Sequence, residues 1–174
     1  MSAWLAAAVL SMNQAAPSPL PRLIPFVAIT PRGDIELRID NPSPKPLDAT
    51  LIVELVLSRS RSVPPSDTPS PVPSYRARLD LADAECRAND GETRVYVVAN
   101  GSRNWVASAV RLQWYEHLSA APFAPRPFSQ VVPPGDYSLA LRIAKGESPW
   151  WHSNELSVST DGTDRLTLRA NDGK

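Results

Sequence analysis

Apolar and polar side chains alternate most regularly near the C-terminal end of the chain, between residues 137 and 143. The apolar set is Tyr137, Leu139, Leu141 and Ile143, and the residues between them are Ser138, Ala140 and Arg142. A period of two is the pattern of a β-strand with one buried face. We predict that residues 155–160 form the next strand, antiparallel to the first and joined to it by a hairpin.

Similar strand patterns recur along the chain. They predict strands at 26–30, 35–40, 47–56, 75–81 and 165–169. Residues 95–99 are a continuous apolar run, which is typical of a strand buried on both faces. A further strand is predicted to place five residues on one face, namely Val106, Ser108, Val110, Leu112 and Trp114. No helical period follows the first residues, so the pattern predicts an all-β protein of about eight or nine strands.

The turn before the strand at 137–143 carries a family resemblance. Pro134-Gly135 is a turn signal, and Tyr137 stands two residues after the glycine. A Tyr in this position resembles the tyrosine corner of immunoglobulin-like sandwiches. Together with Ser153-Asn154, which opens the next strand, it makes residues 132–160 similar to the last two strands of a fibronectin type III or immunoglobulin-like domain.

This resemblance implies an antiparallel immunoglobulin-like β-sandwich, here with proline-rich loops and a short N-terminal leader helix. It also implies a role in adhesion, spacing or accessory binding, although the fold serves many functions. The residues to which we assign structural roles are Gly135, Tyr137 and Trp114.

The N-terminal part of the chain is interpreted as two segments that precede the folded domain. Residues 1–16 are a signal peptide or leader, because the apolar run at 3–10 is too short to span a bilayer and resembles the h-region of a secretory signal. An amphipathic leader or a mis-assigned start codon is the alternative. Residues 17–25 are rich in proline and predict an extended tether.

Residues 26–170 are interpreted as the β-sandwich domain. Within it, the proline-rich segments 59–74 and 118–134 are predicted to be mobile loops. Segment 59–74 has too few large apolar residues to offset the entropy of ordering. A weak internal sequence similarity between 37–55 and 96–114 leaves open a division into two small half-sandwiches near 59–74.

Overall composition argues against nucleic-acid binding and limits the fold. Lys and Arg together number 18, as do Asp and Glu, so the formal net charge is zero. A nucleic-acid binder needs a basic footprint, which this balance does not give. The chain has 19 prolines but only 7 glycines, which favours strands joined by stiff loops. Cys86 is the one cysteine, so no intrachain disulfide can form.

The sequence predicts no catalytic residues, no metal ligands and no cofactor. His117 and His152 are its two histidines, and with Cys86 they are too few for a typical structural zinc site. No nucleophile elbow, zinc-protease, phosphate-loop or dinucleotide-binding motif occurs. We therefore predict that the protein is not an enzyme.

Two aromatic segments are the candidate binding sites. Trp150, Trp151 and His152 are adjacent, and neighbouring residues of a strand point to opposite faces, so one ring can face outwards as a platform for a sugar or a partner. The alternative is that both rings close the core. Phe123 and Phe128 lie in a proline-stiffened loop with Arg126 between them, which either inserts into a partner or is pinned to its own domain.

These observations leave three hypotheses. The first is a non-catalytic binding or accessory module, secreted or in the periplasm or cell envelope, that recognises a protein or glycan. The second is a proteinase-inhibitor-like β-sandwich that acts through residues 122–132, with Arg126 as the specificity residue. The third is a cytoplasmic structural subunit whose leader is retained. None of them involves nucleic acid or a membrane-spanning segment in the mature chain.

Overall fold

The computed structural model describes residues 22–59, 73–82, 87–88, 91–117, 125–146, 149–163 and 165–169. This part of the chain is all-β and its strands pair antiparallel, as predicted. Its strands are β1 (Ile24–Ile29), β2 (Ile35–Asn41), β3 (Leu47–Arg59), β4 (Ser74–Asp80), β5 (Arg87–Ala88), β6 (Thr93–Val97), β7 (Gly101–Ala107), β8 (Gln113–Glu116), β9 (Arg126–Pro127), β10 (Gly135–Ala144), β11 (Trp151–His152), β12 (Leu156–Thr160) and β13 (Thr167–Leu168). A 3-10 turn, Ala109–Arg111, lies between β7 and β8, and one helical turn, α1 (Phe128–Val131), follows β9.

The strands form two sheets. The smaller sheet has the order β1-β2-β7. The larger sheet has the order β13-β12-β10-β3-β4-β8-β9, with β11 beside β10, β5 beside β4 and β6 beside β3. It curls into a half-barrel. β3 is 13 residues long and changes partners, because residues 47–51 pair with β6 whereas its second half lies between β4 and β10.

One hydrophobic core lies between the inward rows of the two sheets. The alternation predicted for β10 is confirmed, since its four apolar residues are fully buried and Ser138, Ala140 and Arg142 remain partly exposed. The chain before and after residues 60–72 shares this core, and β3 and β4 pair directly across that gap, with Leu57 opposite Tyr75.

The hairpin predicted at the C-terminal end is confirmed. β10 and β12 are antiparallel, with Tyr137 opposite Val158. The Tyr137 hydroxyl donates a hydrogen bond to the carbonyl oxygen of Pro133 at 2.7 Å, and its ring packs edge-on against Tyr75 with centroids 5.9 Å apart. The hydrogen bond ties β10 to the turn just upstream of it. Gly135 precedes Tyr137 with a φ of 151°, a conformation that favours glycine.

Two asparagines join elements that the strand ladders leave apart. The side chain of Asn154 bonds to both backbone groups of Val27, accepting from its N–H and donating to its carbonyl, each at 2.9 Å. Val27 lies in β1, an edge strand, so these bonds satisfy groups that would otherwise be open to another chain. Asn41 is buried at the end of β2 and donates to the carbonyls of Lys45 and Val98 at 2.9 and 3.2 Å.

Two sequence-based strand assignments are wrong in detail. Residues 106–114 are not one strand, because β7 ends at Ala107 and the 3-10 turn shifts the alternation before β8 begins. Val106 and Val110 are therefore exposed, at 46% and 51%. Residues 95–99 are not buried on both faces either, since Tyr96 and Val98 are exposed on the side opposite the core.

Segment boundaries also differ from the expected ones. β1 begins at Ile24, inside the segment interpreted as a tether. Residues 126–131, predicted to belong to a mobile loop, form β9 and α1. The leader at 1–16, its helix and most of the loop at 59–74 lie outside the described residues. In the described part of the chain, no helical segment has the length and apolar character needed to cross a membrane.

Replacing Tyr137 with Phe tests the tyrosine corner. The change removes the hydroxyl but keeps the buried ring, so we expect the free energy of unfolding to fall by about 1 kcal/mol, the net value of one hydrogen bond. Urea denaturation measures this loss. The control is Tyr96→Phe at an exposed ring, which we expect to leave the unfolding midpoint unchanged. Equal midpoints for both variants would contradict a stabilising corner.

Candidate functional site

Polar side chains converge on the outer face of the larger sheet, the face turned away from the core. The even-numbered residues of β3, β4 and β10 point to this face, because their odd-numbered neighbours fill the core. The strand register aligns three of them, Arg142, Glu54 and Arg78, in one row across the sheet, and this row continues to His152 in β11. The next row contains Ala140, Val56, Arg76 and Tyr115.

Glu54 is the centre of this face. It is only 1% exposed, and its Oε1 atom accepts hydrogen bonds from Arg78 Nε and from the Tyr115 hydroxyl, each at 3.1 Å. Its other oxygen, Oε2, is 3.7 Å from Arg76 Nη1 and has no hydrogen-bond partner among the described residues. A buried carboxylate is tolerated only when it is paired in this way, so Glu54 ties β3 to β4 and β8.

Positive charge exceeds negative charge around this carboxylate. Three guanidinium groups, of Arg76, Arg78 and Arg142, belong to the two rows, against the single carboxylate of Glu54. The Nε atoms of Arg76 and Arg142 are buried and have no hydrogen-bond partner within the described chain. The pKa of Arg142 is lowered, first by burial and then by the charge of Arg76. Arg142 is therefore a cation that has no ion-pair partner among the described residues.

Trp150 stacks on the guanidinium group of Arg142. The Cζ atom of Arg142 lies 4.3 Å from the centroid of the Trp150 ring. A cation over an aromatic face contributes about 0.5–1 kcal/mol at exposed sites and more when desolvated, but it supplies no hydrogen-bond acceptor. Trp150 is partly exposed and His152, opposite Arg142, is exposed. Trp151 instead packs against the core.

The same charges perturb two titratable groups at the border of the face. Burial raises the pKa of Tyr115, and the nearby carboxylate of Glu54 raises it further. The pKa of His117 is lowered, first by burial and then by the charge of Arg76, with Arg142 acting in the same direction. Both effects favour the neutral form of the His117 imidazole.

The structure separates the two aromatic segments that the sequence singled out. Arg126 is exposed on β9, which is separated from β10 by three strands of the sheet. Phe128 is fully buried and packs edge-on against Trp114, with centroids 5.4 Å apart. Phe128 therefore fits the alternative interpretation, in which its ring is pinned to its own domain. Phe123 lies outside the described residues.

Trp114 is a core residue, as expected. It is fully buried, and its indole N–H donates to the carbonyl of Ala109 at 3.3 Å. This bond fixes the 3-10 turn over the end of β8. The expectation that Tyr137 is structural agrees with its burial and its hydrogen bond to Pro133.

Sequence patterns did not reveal the charged cluster, although they placed some of its members. Glu54 and Arg142 occupy outward positions of alternating strands, and Arg76 and Arg78 show the same period in β4. The alternation within each strand does not predict the register between strands that are distant in sequence. An acidic residue in the middle of the apolar segment Leu51–Leu57 is the one local signal that a buried partner exists.

The described residues contain no group of three or more His, Cys, Asp or Glu side chains placed to hold a metal ion. The chain was compared with protein-family models, curated proteins and solved structures. None of them matches it. Any function must therefore be argued from the geometry of the outer face.

Replacing Glu54 with Gln tests whether this carboxylate holds the strands together. The variant leaves the arginines without their counter-charge, so we expect the free energy of unfolding to fall by about 3 kcal/mol, as for a broken buried ion pair. Urea denaturation is the measurement. The matched control is Asp48→Asn, also on β3, which breaks an exposed ion pair with Arg94 and should leave the midpoint unchanged. If Glu54→Gln also kept the wild-type unfolding midpoint, the carboxylate of Glu54 would not hold the strands together.

Proposed function

We propose that this protein is a non-catalytic binding module with an immunoglobulin-like build, and that it recognises a protein or glycan through the outer face of its larger sheet. The observation that carries the proposal is the partly exposed Trp150 ring stacked on Arg142, beside a group of guanidiniums in excess of their counter-charge. Aromatic rings and arginines are the side chains most enriched where proteins bind partners.

The arrangement of side chains and strands on this face favours binding over catalysis. Glu54 is buried and already accepts two hydrogen bonds, so it is poorly placed to take a proton from a substrate in solvent. β10, β3 and β4 are consecutive inner strands of one sheet, which makes the face rigid. A rigid face loses little entropy on binding.

The immunoglobulin-like part of the proposal is supported by the Tyr137 hydrogen bond and by the packing of two antiparallel sheets over one core. A location outside the cytoplasm, either secreted or in the periplasm or cell envelope, rests on the apolar run at 3–10 of the sequence. The inhibitor alternative gains no support from Arg126, because this residue pairs with Trp114 in a strand ladder.

Alanine substitutions at the two adjacent tryptophans test the proposal. Trp150→Ala should weaken binding at least tenfold to any glycan or protein that the full chain captures on an array, with the unfolding midpoint almost unchanged. Trp151→Ala, at a ring that packs on the core, should instead lower the free energy of unfolding by roughly 2 kcal/mol, less than for a fully buried tryptophan.

Binding is scored by the signal on the array and folding by urea denaturation of the same samples. If Trp150→Ala binds as the wild type does, the outer face is not the recognition surface. If both variants unfold, Trp150 belongs to the core and the proposal loses its main support.

A further inference from the structure

The charge on the outer face narrows the class of ligand. We propose that the ligand is an acidic saccharide, and that its carboxylate is bound by the guanidinium groups of Arg76 and Arg142 next to Trp150. This inference rests on the proposed function and adds to it the chemistry of the bound group.

An anion is indicated because Arg142 has no anionic partner of its own. Arg142 makes no ion pair with any residue in the described part of the chain, and its Nε has no hydrogen-bond partner there. Two other carboxylates of the sheet make hydrogen bonds elsewhere, since Glu155 accepts from the Ser138 hydroxyl at 2.8 Å and Asp80 accepts from the Thr93 hydroxyl at 2.7 Å. A ligand carboxylate would supply the missing acceptor, and planar guanidinium groups suit it because they can bind two oxygens at once.

A saccharide is indicated by what lies beside the arginines. Four serines form a row across neighbouring strands of the same face, namely Ser74, Ser58, Ser138 and Ser157. Between this row and that of Arg142 lies the row of Ala140, Val56, Arg76 and Tyr115, and each row is about 7 Å from the next along the strands. Serine hydroxyls with an aromatic ring to one side can bond to sugar hydroxyls and pack against flat sugar rings.

A peptide is a poorer fit to this face. Extended peptides bind sheets mainly by adding a strand to an open edge, where their backbone finds hydrogen-bond partners. β3, β4 and β10 are inner strands whose ladders are occupied on both sides. The face therefore offers side-chain groups rather than an open backbone, so the observations favour the saccharide over an acidic peptide.

The test is isothermal titration calorimetry of the full chain with three probes: a trimer of galacturonic acid, the matching neutral galactose trimer, and an oligoglutamate of equal charge. We expect the acidic trimer to bind, to bind more weakly as salt is added, and to bind at least about tenfold more weakly to Arg142→Gln. The neutral trimer and the peptide should bind at least about tenfold more weakly than the acidic trimer. The control variant is Arg32→Gln, which removes the same charge at an exposed turn of the smaller sheet and should bind as the wild type does.

Each outcome decides a different point. Equal binding of the neutral trimer would overturn recognition of the carboxylate but leave the proposed binding function in place. Binding of oligoglutamate alone would overturn the saccharide. Absence of binding by all three probes would overturn the inference but not the proposed function, which the Trp150→Ala and Trp151→Ala variants test separately on the array. Loss of binding in both Arg142→Gln and Arg32→Gln would show a general charge effect and also overturn the site.

Discussion

A buried carboxylate surrounded by arginines is the interaction on which the rest of the larger sheet depends. Glu54 lies in the middle of β3, the strand that β4 and β10 flank, on the face where water would normally solvate a charge. Because burying an unpaired charge is costly, the sheet must bring Arg78 and Tyr115 to it, and their hydrogen bonds fix how β4 and β8 lie against β3. The polar face thus specifies the same strand arrangement that the hydrophobic core on the other face stabilises.

The same arrangement places more cations on the face than Glu54 can neutralise. Arg142 comes from β10, on the opposite side of β3 from Arg78, so the Glu54 carboxylate cannot form equally close ion pairs with both arginines. Its two acceptor oxygens are directed to Arg78, Tyr115 and Arg76, and Arg142 is left with the face of Trp150. An aromatic face attracts a cation but does not satisfy its N–H groups. The features that hold the sheet together and the features that suit an acidic ligand are therefore parts of one cluster.

Much of the fold could be predicted from the sequence, because alternation within a strand is a local property. The buried row of β10, the hairpin to β12 and the hydrogen bond of Tyr137 to Pro133 involve residues close together in the chain. Errors arose where the backbone breaks its period, as at the 3-10 turn between β7 and β8, across which the inward row changes from Trp105 and Ala107 to Leu112 and Trp114. The charged cluster was missed because it needs the register between β3, β4 and β10. The sequence left two interpretations of Phe128 open, because its contact with Trp114 joins residues that are not close in the chain.

The central claim is that Arg142 is a surplus cation rather than a structural partner of Glu54. The direct test is the stability of Arg142→Met, measured by urea denaturation without ligand. Met has a similar length, and its thioether can still pack on Trp150. Because the change removes a partly buried charge that lacks a counter-ion, we expect the free energy of unfolding to stay the same or to rise by about 1 kcal/mol. A loss of several kcal/mol would show that Glu54 and Arg142 form a balanced pair, and would contradict the account.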